Sequence, residues 1–392
     1  MIIAFWLDYH NCKVKKIISV NFSGGPIIKE AGLSFTEGGL VHALFALANL
    51  GSDYYITILC PNPPGNKRKQ IAKYRGVNII CVGSSRWIRW MSSGSLSFLR
   101  EAKRYVEKER PDILIGNGVL ASFLLRFAPK GTFKVGIIHH LYHASNIDNS
   151  SKYAVWGIGV LERLALHFSK LDKVAVINPM VKDILAKKGF CQDKIVVVGN
   201  GVNIEDYFFC ESKVPYSLIY IGRLTELKRV SSLVEVISIV KRKIPGVILH
   251  IVGDGPKHKE VRRKIEALDL TENVVMHGYL SEKEKIELLS SSAIYVSNSV
   301  FEGFGIPVVE AMATGTVPVV NDIDAHGFIF QGWHVGYLVR SKEEMATRII
   351  DLFTNETERL KLAQNGRRLA EKKWTWAKVS ERYREVILSF SF

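Results

Sequence analysis

The sequence predicts an α/β protein built from two doubly wound domains facing each other across a cleft, and three observations carry that prediction. Short β-rich apolar runs alternate with amphipathic segments along the whole chain, the pattern of parallel strands joined by crossover helices. The alternation is interrupted between residues 200 and 215, where Asn200-Gly201, Asn203, Glu205, Asp206 and Pro215 break both periodicities. The chain has 392 residues, room for two or three cores at about 150 residues per domain. The expected domains are 1–205 and 206–374.

In the first half, β-rich runs predict strands at 2–7, 55–60, 77–82, 113–115, 135–138 and 173–177. Amphipathic spacing predicts helices at 39–50, 97–109, 153–168 and 180–188. Residues 9–37 fall between the first strand and the helix that Gly38-Gly39 opens, and are expected to form a hairpin or lid. The second half repeats the scheme, with strands at 218–221, 247–252, 274–277, 293–296, 317–320 and 336–339. Its helices are expected at 229–243, 257–268, 282–290, 307–313, 343–353 and 356–372. A last amphipathic segment runs from Trp374-Thr375-Trp376 through Val379, Tyr383, Val386 and Leu388.

Composition narrows the function classes. With 47% hydrophobic and 23% charged residues the chain is too apolar to be disordered. Its longest apolar runs, such as 118–125, fall short of the roughly 20 residues of a membrane span. Residues 1–7 are apolar but lack a basic flank, and Asp8 and His10 follow at once, so a cytoplasmic protein is expected. Five scattered cysteines without a Cys-x-x-Cys pair point to reduced thiols rather than disulfides or structural zinc.

The net charge of +15 is unevenly placed. Residues 1–207 carry 27 Lys/Arg against 15 Asp/Glu, whereas residues 208–392 carry 26 against 23. Within 67–110 there are 12 basic and 3 acidic side chains, interleaved with Trp87, Ile88, Trp90, Met91, Leu96, Phe98 and Leu99. Such a patch suits an anionic membrane surface or nucleic acid phosphates, or is a solvated face over buried aromatics. No RNA-recognition motif is visible, so nucleic acid is not an expected partner.

In a two-domain protein of this kind, ligands bind where the carboxyl ends of the two sheets face each other. The densest constellation there is Glu302-Gly303-Phe304-Gly305-Ile306-Pro307-Val308-Val309-Glu310-Ala311-Met312-Ala313, directly after the strand at 293–296. Two glycines admit close backbone approach, and Pro307 suits a first helical turn. A helix N-terminus is thereby aimed into the cleft, offering N–H groups to phosphate or sugar oxygens. Glu302 lies in the loop and Glu310 one turn into the helix, so the two carboxylates address different parts of one ligand. Each can accept a pair of hydroxyl hydrogen bonds, as a ribose or hexose diol offers.

Glu302 and Glu310, separated by seven residues in this setting, resemble the E-x7-E signature of family 4 glycosyltransferases, retaining nucleotide-sugar enzymes of the two-Rossmann GT-B fold. The resemblance implies that Glu302 contacts the transferred sugar and Glu310 the ribose, with the Phe304 and Gly305 amides meeting sugar hydroxyls and phosphate. Tyr220-Ile221-Gly222-Arg223-Leu224-Thr225-Glu226-Leu227-Lys228 resembles the family's diphosphate-holding Arg and Lys, placing Arg223 and Lys228 at the donor. Gly38-Gly39 resembles the glycine loop that meets the donor phosphates from the other domain. His277-Gly278-Tyr279-Leu280 would set backbone near Tyr279 against the nucleobase. After the strand at 135–138 come His139, His140 and His143; the family often has a histidine here beside the reacting sugar, and the count from the strand favours His140.

Asn200-Gly201-Val202 is expected to be a structural turn, and Gly253-Asp254-Gly255-Pro256 a strand-to-helix turn, since it lacks a third glycine. The Asp322-Ile323-Asp324 motif and the three histidines are assigned no metal. The terminal helix, 375–392, is expected to cross back to the first domain, as in GT-B enzymes. Together these expectations describe a metal-independent, retaining transfer of a hexosyl unit from a donor such as a UDP- or GDP-hexose. The acceptor would be a glycan or lipid-linked hydroxyl at an anionic membrane face, with Glu302, His140, Arg223 and Lys228 in the catalytic set. Glycoside hydrolysis, the other use of two carboxylates, does not require the Arg and Lys.

Overall fold

The computed structural model describes residues 14–21, 27–29, 32–34, 38–62, 69–83, 93–139, 160, 164 and 166–389. These include strands β1 (Lys15–Asn21), β2 (Ile27–Lys29), β3 (Gly32–Ser34), β4 (Tyr54–Pro61), β5 (Gln70–Tyr74), β6 (Val77–Val82), β7 (Ile113–Asn117), β8 (Phe133–Ile138), β9 (Lys173–Val176) and β10 (Ile195–Val197). Apart from the β2–β3 hairpin, they form one sheet in the order β10-β9-β8-β7-β1-β4-β6-β5, parallel except for the β5 edge. The second half holds β11 (Ser217–Ile221), β12 (Ile248–Val252), β13 (Val274–Gly278), β14 (Ile294–Ser297), β15 (Val317–Asn321) and β16 (Tyr337–Val339). Their order is β13-β12-β11-β14-β15-β16, and every pairing is parallel.

The strands read as continuous apolar runs because both faces of each sheet are covered. Alternation along β1 sends Ile17 to one face, with Leu44 and Leu47 of helix Gly38–Ala48 and Tyr383 and Val386 of helix Trp376–Leu388. Ile18 goes to the other face, with Phe98 and Val106 of helix Ser93–Glu109 and Val181 of helix Pro179–Lys187. The terminal helix thus packs on the first sheet. Its crossing is clamped by paired hydrogen bonds, Val202 N to Trp374 O at 2.9 Å and Trp376 N to Val202 O at 3.3 Å. A Cβ on Gly201 would lie 2.9 Å from the Trp376 nitrogen, so this turn requires glycine.

The strand expected at 2–7, most of the helix expected at 153–168, and Trp87, Ile88, Trp90 and Met91 lie outside the described residues. Among the described residues the central strand of the first sheet is Lys15–Asn21, inside the stretch expected as a hairpin or lid, and β2 and β3 of the same stretch pair as a hairpin. Lys15 and Lys16 disguise that strand. They stand at its edge, where Lys16 Nζ pairs with Glu109 at 3.0 Å, while Ile17 to Val20 are buried. Strands β5 and β10 and helices Val119–Leu124 and Asp324–Phe330 were not expected either. β5 is a five-residue edge strand that alternates half-buried and exposed residues, carries Lys73 and lacks a long apolar run. Phe98, interleaved with the basic run in sequence, is a core residue.

Candidate active site

The order in which strands are added reverses in the first sheet between β1 and β7, and in the second between β11 and β14, although both pairs are parallel. Such switch points open a crevice at the carboxyl ends of the strands. The motifs occupy those positions: Arg223 and Lys228 follow β11, Glu302 to Gly305 follow β14, Gly38-Gly39 follow β1 through the hairpin, and His139 follows β8 beside β7.

The Glu302 loop is built from its anchors. Phe304 is buried edge-on against Trp374 and Phe328, with ring centroids 5.3 Å and 6.3 Å away. This buried side chain anchors the loop. Gly305, at φ +98°, caps helix Ile306–Thr314, whose second residue is Pro307. The first sheet's side also grips the loop: Asn178 Oδ1 accepts from Val181 N at 2.9 Å, capping helix Pro179–Lys187, and its amide donates to the Gly303 carbonyl.

Glu302 forms an ion pair with Lys228, which ends a 3₁₀ turn (Glu226–Lys228). Arg223 is exposed and, among the described residues, has no carboxylate partner. Its carbonyl accepts from the Tyr220 hydroxyl at 3.3 Å, which fixes the turn. The loops after β11 and β12 touch so closely that a Cβ on Gly253, at φ +124°, would overlap the Gly222 carbonyl oxygen. Tyr279, just past β13, is 78% exposed.

Glu310 is nearly buried and accepts two hydrogen bonds on one oxygen, from Tyr207 at 2.8 Å and Lys285 Nζ at 3.0 Å. Burial pushes the Lys285 ammonium down, but the Glu310 and Glu282 carboxylates outweigh it and hold its pKa above the ordinary value. Burial and the Glu310 charge push the Tyr207 phenol up, so it stays a donor.

His139 donates from Nε2 to Asn117 Oδ1 at 2.6 Å; His140 and His143 lie outside the described residues. Two histidines escaped sequence reasoning. His42, four residues past Gly38, is wholly buried: Nδ1 donates to Asn200 Oδ1 at 3.0 Å and Nε2 accepts from Tyr383 at 2.7 Å. Its ring lies edge-on to His139, centroids 4.8 Å apart. Burial lowers its pKa to about 4, the Asn200 hydrogen bond opposing only in part. His326 is also buried, with Nδ1 donating to the Asn321 carbonyl at 2.7 Å and its ring beneath the Gly305 turn. The signals available were the spacing from Gly38-Gly39 and the proximity to Asp322-Ile323-Asp324.

Asp322 is paired with Arg340 at 2.8 Å. A cavity of about 520 Å³ between the halves is lined by Pro179, Met180 and Asp183 on one side and Asp322, Asp324 and Phe328 on the other.

Fold and loop geometry together define a two-domain α/β protein of the GT-B type. The family model for Glycosyltransferase Family 4 matches residues 38–206 and that for Glycosyl transferases group 1 matches residues 210–369. The chain belongs to the family 4 glycosyltransferases of the GT-B fold. Similar proteins include the poly(ribitol-phosphate) alpha-N-acetylglucosaminyltransferase of Staphylococcus aureus, 27% identical over 262 residues, 65% of this chain and 50% of that protein. Another is the phosphatidyl-myo-inositol mannosyltransferase of Mycobacterium leprae, 27% identical over 200 residues, 49% of this chain and 52% of that protein. The chain spans about half the length of these curated relatives. Among solved structures, the sucrose-phosphate synthase of Thermosynechococcus elongatus superposes with a TM-score of 0.74 at 18% identity, covering 96% of this chain and 100% of that one. Anabaena Alr3699/HepE in complex with UDP and glucose gives 0.72 at 17% identity with the same coverage.

Proposed function

We propose that this protein is a retaining glycosyltransferase that moves a hexosyl unit from a nucleoside diphosphate sugar to a hydroxyl of a glycan or lipid-linked acceptor. The observation that carries the reading is the pairing of Glu302 with Lys228 beside the helix N-terminus at Gly305, with Glu310 one turn further in. An incoming diphosphate competes with Glu302 for Lys228. The cation turns to phosphate, and the released carboxylate accepts from sugar hydroxyls. Arg223 is the second cation for the diphosphate. Glu310 keeps its Tyr207 and Lys285 contacts on one oxygen and offers the other to ribose. Tyr279 lies by the nucleobase, and Gly38-Gly39 meets the phosphates from the opposite side.

In the transfer step the bond from the anomeric carbon to the phosphate oxygen breaks as the acceptor oxygen bonds to that carbon on the same face. The acceptor proton passes to the departing phosphate oxygen. Lys228, Arg223 and the helix-terminal N–H groups stabilise the departing charge as fixed cations and dipoles, with no metal required of the site. Glu302 and the histidine loop, through His140, position the sugar.

Names of relatives support glycan and lipid-linked acceptors: one acts on poly(ribitol-phosphate) and another is a phosphatidyl-myo-inositol mannosyltransferase. A cytoplasmic enzyme docked peripherally on a membrane fits the basic first half. Among the described residues, no helix is long and apolar enough to cross a membrane. Thermal-shift screening of UDP-, GDP- and ADP-sugars tests the reading, since a donor at 100 times its dissociation constant adds about 2.7 kcal/mol of stability. The anomeric configuration of the product, read by NMR, tests retention. Failure of every nucleotide sugar to stabilise the fold would refute the proposal.

A further inference from the structure

Three segments cover one face of the first sheet: helix Ser93–Glu109, the stretch through helix Val119–Leu124 and the 3₁₀ turn Leu125–Phe127, and a helical stretch ending at Phe168. Their inward sides are core, through Phe98, Val106, Leu125 and Leu166. Their outward sides carry apolar rings where water would be expected. Phe123, Phe127 and Phe168 are 38%, 43% and 44% exposed, and Leu164, one helical turn before Phe168, is exposed as well. Phe123 meets Phe127 edge-on at 6.2 Å. Each end of this cluster is flanked by a cation, with Lys103 Nζ 5.2 Å from the Phe127 ring and the Arg126 guanidinium 5.6 Å from the Phe168 ring.

We infer that this face is the membrane-docking surface and that its partner is a bilayer containing anionic lipid. The inference rests on the proposed membrane-borne acceptor and places the docking on described residues of the first half. Charge selects the occupant. Exposed Arg100, Arg126, Lys130 and Lys170 lie on these segments and their flanks, while the nearby carboxylates Glu101 and Glu107 are already paired with Arg104 and Lys103. Lipid phosphates complement such a face, and phenyl rings between the cations reach the acyl boundary below the headgroups. A second copy of the chain fits poorly, because a two-fold interface would bring two copies of the same basic face together.

Co-sedimentation with vesicles of phosphatidylcholine, with and without phosphatidylglycerol, tests the inference. The wild-type protein should sediment only with phosphatidylglycerol present, and be released by salt. Phe123→Ser with Phe127→Ser should weaken partitioning roughly ten-fold or more, and Arg126→Ala about five-fold. Phe208→Ser, at an exposed ring in the segment between the sheets, should bind as wild type. Circular dichroism establishes that each variant is folded. Absence of sedimentation, equal sedimentation of the double variant, or a wild-type dimer in light scattering that the double variant dissolves would each overturn the assignment. Binding is read without donor or acceptor, so it fails or stands separately from transferase activity.

Discussion

Lys228 and Glu302 form an ion pair that joins the loops on either side of the second sheet's switch point. One loop follows β11 and the other β14, so the contact requires both strands in register and is not local in sequence. Both side chains are partly shielded, at 23% and 16% exposure, which strengthens the pair relative to a solvated one. A dianionic ligand that takes Lys228 leaves Glu302 as an acceptor for hydroxyl groups.

Replacing either cation should therefore weaken transfer without unfolding the protein. Arg223→Ala and Lys228→Ala are each expected to raise the barrier by about 2 to 4 kcal/mol, through lost charge-assisted contacts. Circular dichroism should be unchanged. Steady-state kinetics at saturating acceptor read the effect, and wild-type turnover in both variants would remove the diphosphate assignment.

The two carboxylates should separate in a binding experiment. Glu310→Gln replaces a charge held by Tyr207 and Lys285 and is expected to weaken binding of the free nucleotide. Glu302→Gln should spare the nucleotide and lower turnover, because its proposed ligand is the hexose. Calorimetry with the nucleoside diphosphate decides: equal losses of affinity in the two variants would contradict the division of labour.

Stability should fall on acidification because of His42. Its folded-state pKa is lowered from 6.5 to about 4, chiefly by burial. Below pH 6.5 the unfolded chain binds a proton that the folded chain refuses, so stability is complete above that pH. It is lost progressively until the folded state titrates near pH 4, a total of about 3 kcal/mol. Burial also lowers His250, His277 and His326, with the same sign. Urea denaturation of wild type and His42→Gln at pH 7 and pH 4.5 isolates the His42 share. The variant should lose about 2 kcal/mol less between those values, and identical losses would show that His42 does not titrate as described.

The second half of the fold was legible almost element by element, because its parallel strands are predominantly apolar and its densest candidate site motif is Glu302 to Glu310. In the first half the signals were split. β1 opens on two lysines, β5 is a polar edge, and the glycine loop is separated from its strand by residues 22–37. Tyr207, Lys285 and Asn178 were invisible as partners of the candidate site, because each reaches its partner only through tertiary contact: Tyr207 lies 103 positions from Glu310, and Asn178 lies 125 from Gly303. Spacing within a motif reports which groups share a loop or helix. It does not report which distant donor satisfies them.

Gly305 offers the sharpest test of the loop itself. Its φ of +98° caps helix Ile306–Thr314, and a Cβ there would lie 3.4 Å from Ile329 and 3.5 Å from the His326 ring. That is close to ordinary contact, so the cost of Gly305→Ala comes from the left-handed backbone rather than from collision. Such a conformation costs an L-residue about 1 to 2 kcal/mol. The strain can be relieved by rotating the peptide that precedes the helix, which turns the N–H groups of the first turn away from the crevice. Thermal unfolding should therefore register a loss of that size, while kcat/KM falls by more than the same free energy converts to, about 5- to 30-fold. Gly303→Ala is the control: a Cβ there meets only the His139 carbonyl and Ile177, both at 3.6 Å, and its φ is not left-handed. It should leave stability near wild type. If Gly305→Ala matches the wild-type protein in both measurements, the turn does not aim the helix N-terminus at the ligand.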